Sequence, residues 1–310
     1  MAEKAIGAWF ILSDIVKLYR DSLSLSDAVF SRIDHNDTMI ALVYRVDFPS
    51  EKPLILKVCT RDEDFHRELY FLNALAGSLP VPRIQKIAEP IAGRAGAILM
   101  ECLEGVLLSK SDWTQELAYD VGCRLAQLHS KRSDGYGDPI QKEHFTPNAQ
   151  KYFQDKFFEE LEECVNHLPE EVIKCCKNYY ELHKNLLDSV DGPCMVHRDF
   201  RPGNMIVHDG RLVGIIDWAS GCFGFAEQDF CSMEHRHWPK NPEHKQSLLA
   251  GYSSIRQIPN YELIMPLLRL GRALAVIGFT VKTGTWEGKD QEIYQYNRRF
   301  LDHFLFESKA

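Results

Sequence analysis

The stretch Val196-His197-Arg198-Asp199-Phe200-Arg201-Pro202-Gly203-Asn204, followed by Ile215-Ile216-Asp217-Trp218, decides how the rest of the chain is read. It reads as a loop and then two short β-like runs, Met205–Val207 and Leu212–Ile216, joined by His208-Asp209-Gly210-Arg211. Asp-Gly between β-branched runs is a hairpin signal, and a hairpin here predicts the return of Asp217 beside Asp199 and Asn204. A carboxylate and an amide are hard oxygen donors of the kind that hold Mg²⁺ against phosphates, while a further carboxylate orients a hydroxyl. A lone His-Arg-Asp tripeptide carries little information. Loop, hairpin and second aspartate together carry much more.

His-Arg-Asp with Asn five residues after the Asp is the catalytic-loop pattern of kinases. A second pair lies upstream. Lys57 sits inside the apolar run Leu54-Ile55-Leu56-Lys57-Val58, where an ammonium is costly unless it finds anions. Eleven residues on, Glu68 falls on a helix. A strand lysine held by a helix glutamate and reaching nucleotide phosphates is the kinase arrangement. Taken alone, the two would be a solvated edge lysine and a surface glutamate.

Outward from these motifs, residues 9–30 read as a helix plus a connection. Met39–Phe48 and Leu54–Cys59 read as strands of a hairpin around the turn-like Pro49–Pro53. Asp62-Glu63-Asp64 opens a helix with apolar face Phe65, Leu69, Leu72 and Leu75, ended by Gly77 and Pro80. Ile84–Ala88 and Gly96–Met100 are further strands. After Glu104-Gly105 the pattern turns helical: Trp113–His129, the acidic 151–191, and most of the chain from Asp229 on, including Tyr261–Val281 and Gln291–Phe306. The expectation is an α+β chain. A β-rich N-terminal lobe covers 1–100, a hinge 101–105, and a larger helical C-terminal lobe 106–310.

Composition narrows the function classes. With 36 basic against 44 acidic residues the net charge is −8, which argues against a nucleic-acid partner. Nine cysteines in apolar stretches, none spaced as Cys-x-x-Cys, read as buried thiols in a reducing cytoplasm. Met1–Lys4 lacks the apolar start of a signal peptide, and the run Ala273–Phe279 is far short of the ~20 residues of a membrane span. The expected protein is cytoplasmic, with no membrane partner.

The chain resembles the aminoglycoside phosphotransferase and choline kinase family, which has the protein-kinase-like fold. The resemblance rests on the strand lysine in Leu54–Val58, Arg67-Glu68, Leu99–Gly105, Leu125–His129, the stretch His197–Asn204 and Ile215–Trp218. It implies an ATP- and Mg²⁺-dependent O-phosphotransferase with two lobes and ATP between them. It implies Asp199 as catalytic base, Asn204 and Asp217 on Mg²⁺, Lys57 on the ATP phosphates, and Glu68 positioning Lys57. The backbone of Met100, Glu101, Cys102 and Leu103 would receive the adenine, and Arg201 would contact the γ-phosphate. Asp229 would brace the catalytic loop.

Three features depart from the family. Arg198 stands where glycine is usual. No Ala-Pro-Glu and no long activation segment follow Asp217, unlike a protein kinase. The phosphate-covering loop is not glycine-rich, and His35-Asn36-Asp37-Thr38 is its expected turn. The acceptor candidates are an aminoglycoside, another antibiotic, or a metabolite such as an amino alcohol. Residues 151–191 hold ten acids against five lysines, a net of −5 that mildly favours a cationic acceptor. Glu227, Glu234 and acids of Asp155–Glu163 are its candidate contacts. A non-catalytic nucleotide-binding module is the rival, opposed by the presence of Lys57, Asp199, Asn204 and Asp217 together. His235 and His237, two alternating histidines without a third ligand, read as surface or groove residues.

Overall fold

A computed structural model describes residues 12–33, 41–109, 112–236 and 242–307. Their backbone divides into two compact units, each with its own core. The expected turn at 35–38, His237 and Trp238 lie outside the described residues.

The first unit takes the described residues up to Val106, together with Ile206–His208 and Val213–Ala219. It opens with α1 (Leu12–Ser22), then β1 (Val29–Arg32), β2 (Ala41–Asp47), β3 (Leu54–Cys59), α2 (Asp62–Leu75), β4 (Ile84–Ala88), β5 (Gly96–Glu101) and β6 (Val106–Leu107). Five of the strands form an antiparallel sheet in the order β1-β2-β3-β5-β4. β3 is central, which is why it reads as a nearly unbroken apolar run. Side chains alternate across a strand. Leu56 and Val58 join Tyr19, Leu23, Tyr44, Val46, Ala97 and Leu99 in one core cluster. Lys57, between them, therefore projects from the opposite face. That face is covered by α2, whose Phe65 lies so close to β5 that a Cβ on Gly96 would stand 2.6 Å from the ring. Glycine at 96 is what lets the helix sit this near the sheet. The strand β1 replaces part of the helix-plus-connection expected over 9–30. Its exposed Val29, Ser31 and Arg32 mark an edge strand, with no apolar alternation to reveal it.

The second unit is mainly helical. It contains α3 (Gln115–His129), α4 (Ala149–Glu163), α5 (Glu170–His183), β7 (Cys194–Val196), and, beyond the hairpin strands β8 (Met205–His208) and β9 (Arg211–Ile215), β10 (Cys222–Gly224), α6 (Glu227–Arg236), α7 (Pro242–Ser253), α8 (Tyr261–Lys282) and α9 (Gln291–Glu307). α3 buries Leu117, Val121, Leu125 and Leu128. It meets α7 backbone to backbone: a Cβ on Gly122 would fall 2.0 Å from the Leu248 carbonyl, and one on Gly251 1.9 Å from that of Tyr119. α8 is long and apolar enough to cross a membrane by length and composition, yet 61% of its most apolar window is buried. Leu270, Ala273, Leu274 and Ile277 make it a core helix.

Two small β elements carry the motif residues. β7 pairs antiparallel with β10, with Val196 opposite Cys222, so the loop from His197 starts at a fixed strand end. β8 and β9 join β6 in a three-stranded sheet. Their turn has Asp209 at φ 48° and Gly210 at φ 71°, the left-handed pair of a type I′ hairpin. The Ile215 N–H donates to the Pro80 carbonyl at 2.8 Å, which ties the approach to Asp217 to the first unit.

Candidate active site

In the first unit, Lys57, Glu68 and Asp217 come together. Lys57 Nζ lies 2.8 Å from Glu68 Oε2 and 2.7 Å from Asp217 Oδ1. Burial would by itself push the ammonium pKa down, but Asp217 and Glu68 outweigh it and raise it above the ordinary lysine value. Glu68 is buried, a position a carboxylate holds only when paired. Asp217 differs: its side chain is 47% exposed, against 10% for Lys57, so it can change partners without unfolding anything.

Asp217 sits at φ 67°, the left-handed region that aspartate tolerates better than most residues. Its neighbours hold it there. Trp218 is fully buried, stacks on Phe71 of α2, and donates Nε1–H to the Ile215 carbonyl at 3.0 Å. Arg67 of α2 donates to the Ala219 carbonyl at 2.7 Å, and Asp64 pairs with both Arg61 and Arg67. The acidic start of α2 therefore anchors an arginine as well as facing the helix dipole.

In the second unit, the loop from His197 is organised by buried Asp229 on α6. Its carboxylate accepts the backbone N–H of His197 at 2.8 Å and of Arg198 at 2.7 Å, and Nε2 of His129 at 3.1 Å. His129 Nδ1 meets the Tyr252 hydroxyl at 3.0 Å. Arg198 is left-handed, at φ 63°. Its carbonyl accepts from Ser232 Oγ and from Arg272, each at 3.1 Å. Bonds on both backbone groups keep a non-glycine residue in that conformation.

Asp199 follows directly. Asn204 Nδ2 donates to its carbonyl oxygen at 2.9 Å and to Oδ2 at 2.8 Å. Arg201 Nε lies 2.9 Å from Oδ2, and an Arg272 guanidinium nitrogen 3.0 Å from Oδ1. Burial alone would raise this carboxyl pKa. Arg201 and Arg272 overcome it, helped by the Arg201 hydrogen bond and the neighbouring His197, and hold the group well below the usual carboxylate range. Asp199 is thus an ionised, weakly basic carboxylate fixed on both oxygens.

Arg272, on α8, is the residue that motif reading missed. It lies 73 positions from Asp199, on a helix whose pattern signals only a core, and nothing in its spacing points to the loop. The segment expected to receive the adenine is located more simply. Met100 and Glu101 end β5, opposite Ile55 and Leu54. The Glu101 N–H is already bonded to the Arg83 carbonyl at 2.8 Å, and Cys102 and Leu103 follow the strand. His235 is a correction: it is buried, with Nε2 at 2.9 Å from Asn297 Oδ1, and is a core residue rather than a surface one.

Several of the acids counted over 151–191 have partners of their own. Asp155 pairs with Lys151, Glu159 with Lys156, Glu163 with Lys282 and Glu181 with Lys184. Asp191 pairs with Arg132 and Arg256, and Glu227 accepts the Asp191 N–H. Glu234 pairs with Lys245. Glu160 faces Arg198 at 4.0 Å. Among the described residues no three His, Cys, Asp or Glu side chains group as a metal cage.

A family model described as the phosphotransferase enzyme family matches residues 35–265. The chain belongs to that family. Among curated proteins, this family member is similar to a homoserine kinase of Rhizobium meliloti (strain 1021), 27% identical over 231 residues, covering 65% of this chain and 61% of the relative. A homoserine kinase of Gluconobacter oxydans (strain 621H) is 25% identical over 203 residues, covering 60% and 62%. The chain thus spans about three fifths of the length of the curated relatives it matches. Among solved structures, aminoglycoside phosphotransferase APH(4)-Ia superposes with a TM-score of 0.71 at 14% identity, covering 94% of this chain and 98% of that one. Its thermostable mutant, in a ternary complex with AMP-PNP and hygromycin B, gives 0.69 at 15% identity, covering 94% and 98%. These likenesses establish the protein-kinase-like fold.

Proposed function

We propose that the chain is a small-molecule kinase that transfers the γ-phosphoryl group of ATP to an acceptor hydroxyl. The observation that carries this reading is the fixed, ionised Asp199 on a loop braced by Asp229. In this reading Lys57 holds the nucleotide phosphates and Glu68 holds Lys57. Cys102 and Leu103, with Met100 and Glu101 beside them, receive the adenine. Arg201 and Arg272 set the charge at Asp199. The O–P bond forms at the acceptor oxygen as the bond to the leaving ADP breaks, and the hydroxyl proton passes to Asp199. Phosphoryl transfer goes through a loose transition state with little proton transfer needed early, so a weakly basic carboxylate suits the task of orienting the hydroxyl.

Each unit offers an oxygen donor of the kind that Mg²⁺ takes. Asp217 offers a half-exposed carboxylate. Asn204 commits its Nδ2 to Asp199, which leaves the amide oxygen as the ligand atom. Magnesium is usually held by one or two protein oxygens plus substrate phosphates rather than by a complete protein cage. Bound there, it would neutralise charge on the phosphates.

A metabolite acceptor is favoured over an aminoglycoside. What supports it is that the curated relatives are homoserine kinases, whereas the aminoglycoside enzymes share the fold at 13–18% identity. The local pairing of the acids over 151–191 weakens the case for a polycationic acceptor. The test is acceptor-dependent ADP release with homoserine, choline and hygromycin B. Release with homoserine alone is expected. Release with hygromycin B alone reverses the acceptor assignment, and no release with any acceptor counts against a kinase.

A further inference from the structure

We propose that Arg272 recognises a carboxylate on the acceptor, so that the substrate class is hydroxy acids and hydroxy amino acids. This rests on the phosphotransferase reading only in taking Asp199 as the group that orients the hydroxyl.

An ionised carboxylate offers about four acceptor positions, two on each oxygen. On Asp199, Oδ2 receives both Arg201 Nε and Asn204 Nδ2. Oδ1 receives Arg272. Among the described residues, the position left for an acceptor hydroxyl is the second one on Oδ1. The hydroxyl and the Arg272 guanidinium then share one oxygen. Two groups each about 2.9 Å from a common oxygen stand roughly 4–5 Å apart. A carboxylate hydrogen-bonded to that guanidinium then lies within a few ångströms of the hydroxyl, a separation that a small hydroxy acid spans.

Arg272 has the donors for it. A guanidinium carries five N–H groups in a planar fork matched to carboxylates. Two are engaged, one on the Arg198 carbonyl and one on Asp199 Oδ1, and the side chain remains 24% exposed. The rest of the surroundings agree. Among the described residues the Arg198 guanidinium approaches the Glu160 carboxylate at 4.0 Å. The Asp229 carboxylate is bound by two backbone N–H groups and His129, and its charge acts on Arg198. An ammonium beside Asp199 would face Arg201 and Arg272; a carboxylate would be welcomed by them.

The test uses the full chain and three probes matched around one hydroxyl. Homoserine has a carboxylate and an ammonium, 4-hydroxybutyrate only the carboxylate, and 3-aminopropan-1-ol only the ammonium. Acceptor-dependent ADP release gives kcat/KM, and equilibrium binding by ligand-observed NMR gives affinity without turnover. In the unaltered protein 4-hydroxybutyrate should exceed 3-aminopropan-1-ol by about 10- to 100-fold, the worth of one charge-assisted contact. Arg272→Met should bring that ratio towards one, mainly through the KM of the carboxylate acceptors. Arg272→Lys should keep part of it. Because it is a ratio, the general loss from disturbing Asp199 cancels. An arginine that only holds Asp199 would lower all three probes alike and leave the ratio intact, which overturns the proposal. So does a raised ATP KM with an unchanged ratio, which would assign the anion to the γ-phosphate. If no probe is phosphorylated but binding prefers the carboxylates and Arg272→Met abolishes the preference, the carboxylate site stands and the kinase reading falls. Absence of that preference in the unaltered protein, by both readouts, removes the proposal whatever Arg272→Met does.

Discussion

The molecule has two ion clusters built in opposite ways. Around Lys57 the cation is buried and one of its two carboxylates, Asp217, is half exposed. Around Asp199 the carboxylate and the two arginines that hold it are all part-exposed and to a similar degree, so no member stands out as the exchangeable one. The first cluster can exchange a partner, because a metal on Asp217 and phosphate on Lys57 would replace the charges these groups now give each other. The second is held at both carboxylate oxygens and by the braced backbone of its loop. A nucleotide site must take in and release charge; a group that orients a hydroxyl gains by not moving. The contrast is one of exposure and hydrogen bonding, not of residue type.

The largest effect is expected where the locked cluster is broken. Asp199→Ala should lower kcat by about 1,000-fold while leaving ATP affinity within a few-fold, since the carboxylate acts on the acceptor. ADP-release kinetics with a separate nucleotide titration measure both. Near-normal kcat would show that this loop is only structural.

Next comes the buried arm of the other cluster. Glu68→Ala leaves Lys57 buried with Asp217 alone, and loss of about 3 kcal/mol in stability is expected, the low end for breaking a buried pair. Denaturant unfolding of Glu68→Ala, Lys57→Ala and the double variant gives the coupling. A double variant no worse than the worse single is expected; simple additivity would mean that the pair does not act as a unit.

Asp217→Asn should cost less stability than Glu68→Ala, because its side chain is the exposed member and asparagine tolerates the left-handed backbone. It should instead reduce the strengthening of ATP binding by Mg²⁺ by about tenfold or more. Calorimetric titration with and without the metal decides it. Equal strengthening in variant and parent would remove Asp217 from the ligand set and, with it, the idea of an exchangeable cluster.

The smallest effect concerns Glu160, beside Arg198. Burial pushes its carboxyl up to about 7, against the opposing pull of Arg198 and Lys156. A carboxyl with a raised folded pKa stabilises the fold below its unfolded value of about 4.3, and that stability is lost as the pH rises through the folded value. Glu160→Gln imitates the protonated form. It should match the parent near pH 5 and melt about 2–4 °C higher near pH 8. Equal differences at both pH values would mean that Glu160 does not carry this burden.

Legibility followed distance along the chain. The pairing of Asp199 with Asn204 is readable because one short loop sets it, and Asp209-Gly210 adopts the left-handed turn its sequence calls for. Lys57 and Glu68 are readable because a charge inside an apolar run needs a partner, and the next helix supplies one. The short strands β1, β7 and β10 were not readable, since three or four residues carry too little period. His235 was misread because a histidine's burial depends on α9 bringing Asn297 against it, 62 residues away.

By itself, then, the sequence determined the α+β plan, the catalytic-loop motif and the family, because these rest on short-range spacing and on apolar periodicity. Only the tertiary structure decided what surrounds Asp199 and which donors each of its oxygens receives. Arg272 arrives from α8 and Asp229 from α6, and the strength of each contact depends on burial and on separations of a few ångströms. One-dimensional spacing carries no record of either.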